Sequence, residues 1–280
     1  MALIAMGALA VGVAGAGGAP TKRQDSITLD GPPGSVAPKC TKRARAVSGG
    51  FDGPGFNPDI SEGPRVRPLA TERRSKREWS TTGINEGFGD AGDLVGYAYC
   101  EKRKDFPRLK RVAATTSVPA EETGSAIAKC PRGEAVSGGF RTRPDQLTGA
   151  HVMFAFESMR DGRRSWKASA YNVGPSTTAI TTYAYCARKK LGLKERSAEV
   201  AADGAPGAFP QLTATARCKR GARAISGGFT GADDSPDIPR FAPFRSVRQR
   251  DGGWRAAAQT FLPVGTSVEW TAIAYCLKAG

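Results

Sequence analysis

Short runs of strand-like residues, punctuated by Gly, Pro, Asp and Asn, recur along the whole chain. HVMFAFESMR and SWKASAYNV read as two strands in succession, and the closing runs TTAITTYAYC and VEWTAIAYC are rich in Thr, Tyr, Val and Ile, as strands are. Asp161-Gly162 and Asp251-Gly252 stand between such runs, and Asp-Gly at that place is a strong signal for a tight hairpin. Further upstream, two apolar, small or β-branched runs flank a Gly/Pro-rich turn, as in DSITLDGPPGSVAPKC, and read as an opening hairpin. No segment carries a convincing helical period. With 35 Gly and 19 Pro, the composition also favours short strands and many turns.

The pattern repeats at a period of about 90 residues. Its copies are CTKRARAVSGGF (40–51), CPRGEAVSGGF (130–140) and CKRGARAISGGF (218–229). Each leads to a single-Trp segment, centred on Trp79, Trp166 or Trp254, and closes on YAYC or AYC at Cys100, Cys186 or Cys276. The expected fold is therefore all-β: three tandem antiparallel units of small sandwich or barrel type, about six strands each. The units run over 20–104, 105–190 and 191–280. Periodicity leaves open whether they are beads on a string or pack with pseudo-threefold symmetry. Lys102 to Lys104 and ARKKLGLKER (187–196) read as charged linkers. Residues 1–19 are apolar and uncharged, with Ala14-Gly15-Ala16 as a small-residue cleavage site, and read as a signal peptide. The expected location is secreted, extracellular or cell-wall associated, with no transmembrane segment in the mature protein.

Six cysteines agree with an oxidising compartment. Repeat symmetry favours pairing within units, Cys40 with Cys100, Cys130 with Cys186 and Cys218 with Cys276, because a unit that duplicates must first be self-sufficient. Pairing between units, through Cys100 with Cys130, Cys186 with Cys218 and Cys276 with Cys40, is the alternative. A bridge closing a loop of about 60 residues contributes about 4 kcal/mol by loop-closure entropy.

The order of opening runs, C-P-x-G-x-x-A-V-S-G-G-F, Trp and Y-A-Y-C resembles a tandem repeat that recurs in uncharacterised secreted proteins of high-GC Gram-positive bacteria. The second unit matches best, at Cys130, Pro131, Gly133, Ala135, Ser137, Gly138, Gly139, Phe140, Trp166, Ala184 and Cys186. The first unit departs from it with Thr41 for Pro and Ala44 for Gly. The resemblance implies export and β structure, and it implies no reaction.

Ser-Gly-Gly also surrounds the nucleophile of trypsin-like proteases, which raises the question of chemistry. A Ser nucleophile needs a His base and a carboxylate to orient it. Here three equivalent serines, Ser48, Ser137 and Ser226, share one histidine, His151, and the residue before each is Val or Ile instead of Asp. Catalytic residues are expected to be absent. The Gly-Gly pair instead suggests a positive φ, a bulge or a close approach of backbones. Pro-Asp steps at Pro58-Asp59, Pro144-Asp145 and Pro236-Asp237, with Asp233 and Asp234, suit turns better than a calcium site. No metal and no cofactor is expected, and no acidic pair repeats in the manner of a glycoside hydrolase.

Charge then narrows the partners. The net charge is +15 with a pI near 9.9, spread over all three units, so polyanions are the natural partners: an anionic envelope polymer or polysaccharide. No helix-turn-helix, zinc finger or aromatic-basic stripe points to specific nucleic-acid recognition. Arg73, Arg160 and Arg248 each stand six residues before a Trp, with Thr71, Ser158 or Ser246 two residues earlier. The six residues Arg73, Arg160, Arg248, Trp79, Trp166 and Trp254 are the candidate binding positions, Arg as a planar fork and Trp as a stacking surface. The expected function is a non-enzymatic extracellular or envelope binding or structural module. A lectin-like carbohydrate binder with one site per repeat is the alternative, and a hydrolase comes third.

Overall fold

The computed structural model describes residues 21–55, 64–87, 90–144, 150–203, 210–233, 241–260 and 266–278. The segment read as a signal peptide, the Pro58-Asp59 and Pro236-Asp237 steps, Asp145 and Asp234 lie outside the described residues. So do parts of 52–70, 141–150 and 230–243, the Pro-rich loops of differing length after each SGGF strand, where partner selectivity is expected from the sequence.

Every element among the described residues is a strand, and each unit supplies six. The first holds β1 (Thr21–Leu29), β2 (Gly34–Val36), β3 (Ala44–Asp52), β4 (Val66–Ser75), β5 (Glu78–Asn85) and β6 (Gly92–Lys102). The second holds β7 (Leu109–Val118), β8 (Thr123–Lys129), β9 (Glu134–Thr142), β10 (Met153–Asp161), β11 (Ser165–Asn172) and β12 (Thr178–Ala187). The third holds β13 (Lys194–Asp203), β14 (Gln211–Ala216), β15 (Ala222–Asp233), β16 (Phe241–Arg248), β17 (Trp254–Thr260) and β18 (Ser267–Lys278). The two Asp-Gly hairpins form as expected, with Gly162 and Gly252 at φ +68° and +83°. The turn after the first cysteine closes in unit 1 as in unit 3, through Ala44 N–H to Thr41 and Ala222 N–H to Lys219, so the first unit's departures cost it no turn.

The strands assemble into three six-stranded antiparallel sheets, and no unit owns a sheet. Their orders are β1-β6-β3-β16-β17-β14, β2-β5-β4-β9-β12-β7 and β13-β18-β15-β10-β11-β8. Each sheet thus takes three strands from one unit and three from another: units 1 and 3, 1 and 2, and 2 and 3. The ring closes, because the first and last units share a sheet. This arrangement also corrects the opening hairpins. β1 pairs with β6 and β2 with β5, in different sheets, and the same parting separates β7 from β8 and β13 from β14. In unit 1 the Gly/Pro-rich turn is a corner between sheets.

The disulfides join Cys40 to Cys100, Cys130 to Cys186 and Cys218 to Cys276, all within units. Cys40 follows a bridge between Lys39 and Glu78 of β5, whereas Cys100 lies on β6. Each staple therefore ties the two halves that one unit places in two sheets.

The AVSGGF strands meet at the centre, where each residue has its own task. The β-ladder skips Val47, Val136 and Ile225, a bulge that leaves their carbonyls without a ladder partner. The serine hydroxyls of neighbouring units fill that need in a closed cycle: Ser48 donates to Ile225, Ser137 to Val47 and Ser226 to Val136, each at 2.5 Å. The first Gly seats the unit's own tryptophan, because a Cβ on Gly49, Gly138 or Gly227 would overlap the indole of Trp79, Trp166 or Trp254. The second lets strands of two units cross: a Cβ on Gly50, Gly139 or Gly228 would collide with the carbonyl oxygen of Ser246, Thr71 or Ser158. Neither Gly of the pair has a positive φ, so the pair serves closeness of approach. Beyond it, Phe51 and Phe140 both pack edge-on against Phe229, at 6.2 and 6.5 Å.

Candidate functional site

The residues that repeat in all three units go into the interior. Trp79, Trp166 and Trp254 are each 1% exposed, and their indole N–H groups donate to Thr71, Ser158 and Ser246. Their ring partners are tyrosines of the neighbouring unit: Trp79 with Tyr185, Trp166 with Tyr275 and Trp254 with Tyr99. The arginines cover those same tyrosines. Arg73 lies 4.7 Å over Tyr185, Arg160 5.2 Å over Tyr275 and Arg248 4.7 Å over Tyr99, and each arginine's backbone N–H donates to the same phenol oxygen. Burial pushes the phenols of Tyr99, Tyr185 and Tyr275 well above the usual tyrosine range. Burial also lowers the Arg73 and Arg248 guanidinium pKa values. Of the six positions that the sequence points to, the tryptophans have covered faces, and Arg248 and Arg160 reach the lining of clefts. The three serines are 1–2% exposed at the axis, with their hydroxyls engaged. His151 lies apart, its carbonyl accepting from Arg67, and burial followed by the Arg67 charge lowers its pKa. Among the described residues no group of three His, Cys, Asp or Glu side chains converges as a metal site.

The outward positions differ from unit to unit. At the middle of each sheet the two units join through a seam of two residue pairs. The inward pairs are alike: Phe51 with Ser246, Phe140 with Thr71 and Phe229 with Ser158. The outward pairs are Asp52 with Arg245 at seam 3–1, Arg141 with Ala70 at seam 1–2, and Thr230 with Glu157 at seam 2–3. Opposite the buried tyrosine stands Lys22, Arg111 or Glu195, and two residues before that tyrosine stands Tyr97, Tyr183 or Ile273.

At seam 1–2 a carboxylate fills this outer frame. Arg111 lies 5.1 Å over Tyr183, Glu72 pairs with Arg111 at 3.6 Å and more closely with Arg141, and burial followed by the Glu72 charge raises the Tyr183 phenol pKa. At seam 2–3 the cation and the tyrosine are replaced by Glu195 and Ile273, and Glu157 pairs with Lys167 at 2.9 Å. A cleft of about 320 Å³ beside it holds Glu134, which accepts from Arg160 and from the Leu191 and Gly192 amides.

Seam 3–1 keeps the cation and the tyrosine and has Val247 where Glu72 stands. Lys22 lies 4.2 Å over the Tyr97 ring. The surrounding cleft is about 500 Å³, lined by Lys22, Arg245, Arg248, Arg250 and Arg255 against two carboxylates, Asp52 and Asp251. Both carboxylates are already engaged: Asp52 with Arg245 at 2.7 Å and Asp251 with Arg217 at 3.2 Å. Burial lowers the Lys22 pKa, and the Arg250 charge lowers it further against Asp52. Tyr97 is pushed up to about 12, first by burial and then by Asp52. The cleft is a concave site with surplus positive charge, and its size is that of a small-ligand pocket. Arg forks and an ammonium there suit an oxyanion.

Comparison with protein-family models gives no match to this chain, and comparison with curated proteins gives none. Repeat alignment missed Lys22, Arg245, Arg250 and Arg255 because it selects what all units share, and it met Tyr97 only as the first residue of YAYC. The signal that finds them is the reverse one, a charged position that breaks the repeat.

Proposed function

We propose that the protein is an exported, non-enzymatic module that binds polyanionic material at or outside the cell envelope. The observation that carries this reading is the seam 3–1 cleft, where five cationic side chains face two carboxylates. Asp52 is held by Arg245 of the five and Asp251 by Arg217 outside the cleft, which leaves a surplus of positive charge. The net charge of +15 supports it by drawing polyanions to the surface at long range. Three disulfides suit an oxidising compartment and so support export. The engagement of all three serine hydroxyls supports a binding role over hydrolysis at the Ser-Gly-Gly motif. Divergence of the three seams favours one principal site over one per unit.

The test is retention on immobilised acidic polysaccharide across a salt series. Retention that falls steeply between low and high ionic strength is expected, as exposed charges are screened beyond a Debye length of about 8 Å at physiological salt. Retention on a neutral glycan that persists in high salt would replace this reading with a lectin-like one.

A further inference from the structure

Glu72 at seam 1–2 is an internal occupant of a frame that seam 3–1 leaves to a ligand. The two frames share a cation lying over a tyrosine, Arg111 over Tyr183 and Lys22 over Tyr97, and the same neighbouring strands. In the first, the Glu72 carboxylate gathers Arg111 and Arg141 beside the Tyr183 ring that Arg111 covers. In the second, the strand position of Glu72 is Val247, one residue past the seam pair in both cases. The cations of the second frame are more numerous, with Arg250 and Arg255 added where unit 1 has Ser75 and Ser80. A carboxylate is the group that the shared frame is seen to hold. The cleft is polar, with Gln249, Asp52 and Asp251 in its lining, and Lys22 covers the one tyrosine ring. That lining suits a hydroxyl-bearing carboxylate and offers little to an apolar acid.

We propose that the seam 3–1 cleft binds the carboxylate of a uronate residue in an acidic polysaccharide. The Lys22 ammonium and the Tyr97 hydroxyl donate to it, and Arg250 and Arg255 flank it. This rests on the polyanion-binding reading and adds the site and the chemical class. Seam 1–2 is closed to the same ligand by its own Glu72, and seam 2–3 by the loss of the cation and the tyrosine.

The experiment is titration calorimetry with a short galacturonate oligomer, a neutral galactose oligomer and a glycerol-phosphate oligomer. The proteins are the full chain and its Val247→Glu, Tyr97→Phe and Glu72→Val variants, each checked by circular dichroism. The expected result is one site for the galacturonate oligomer, weakened about tenfold or more in Val247→Glu, whose new carboxylate fills the frame from within. Tyr97→Phe weakens binding while leaving the number of sites unchanged, and Glu72→Val adds a second site at seam 1–2. Undiminished binding by Val247→Glu overturns the site, and equal affinity for glycerol phosphate overturns the carboxylate assignment. Failure of the wild type to be retained by any anionic polymer at low salt would overturn the broader function. Retention with no response to Val247→Glu would overturn this inference alone.

Discussion

The axis and the outer faces of the seams are built from the same three repeats, yet they have diverged to different extents. At the axis every position recurs: a bulged Val or Ile carbonyl, a serine that satisfies it across a unit boundary, two glycines and a Phe. A change in any one copy there disturbs a neighbour's backbone, so the copies must agree. A few residues along the same strands, the outer faces carry Asp52, Arg141 and Thr230 at one position and Val247, Glu72 and Met159 at another. Each of those positions belongs to the seam of a single sheet, so a change in one leaves the strand pairing of the other two seams in place. Symmetry in this molecule marks what holds it together, and broken symmetry marks where the proposed ligand site lies.

Alkaline titration gives the largest contrast. Burial raises the phenol pKa of Tyr99, Tyr185 and Tyr275 above the unfolded value of about 10, so the folded chain holds protons that the unfolded chain releases. Their contribution to stability is complete below about pH 10 and is lost as pH rises beyond it. Absorbance of ionised tyrosine should therefore show these three titrating only as the chain unfolds. A reversible titration of all six tyrosines near pH 10 with native circular dichroism would break the distinction. Gly139→Ala comes next, since its Cβ meets the Thr71 carbonyl of another unit's backbone, and a loss of about 3 kcal/mol or more is expected in urea unfolding. Ser48→Ala removes one link of the cycle and leaves the Ile225 carbonyl buried without that donor, at about 1–2 kcal/mol. Arg255→Ser, which gives unit 3 the residue of unit 1, should stay within about 0.5 kcal/mol and show its effect in ligand titration instead.

Strand content, the Asp-Gly hairpins and the within-unit staples were legible in the sequence because each depends on local pattern or on repeat logic. Partner choice was not. The runs of DSITLDGPPGSV look like two arms of one hairpin, and only the pairing of β1 with β6 and β2 with β5 sends them to different sheets. That choice is made by residues 45 to 79 positions away, beyond the reach of any window. The serine illustrates a partial reading. A close approach of backbones at Ser-Gly-Gly was expected, but that the serine hydroxyl bonds a carbonyl of another unit follows from ring closure alone. For the candidate site, Arg248 was picked out as a repeated residue and Tyr97 was visible only as the first letter of YAYC, whereas Lys22 carries no repeated signature and meets Tyr97 only through the pairing of β1 with β6.

If no unit owns a sheet, the three cannot melt one at a time. Scanning calorimetry of the disulfide-intact chain at neutral pH tests this most directly. One transition is expected, with calorimetric and van't Hoff enthalpies equal, and Gly139→Ala should move the whole of it to lower temperature. Two or three resolved transitions, with Gly139→Ala lowering one and sparing the rest, would contradict the closed ring.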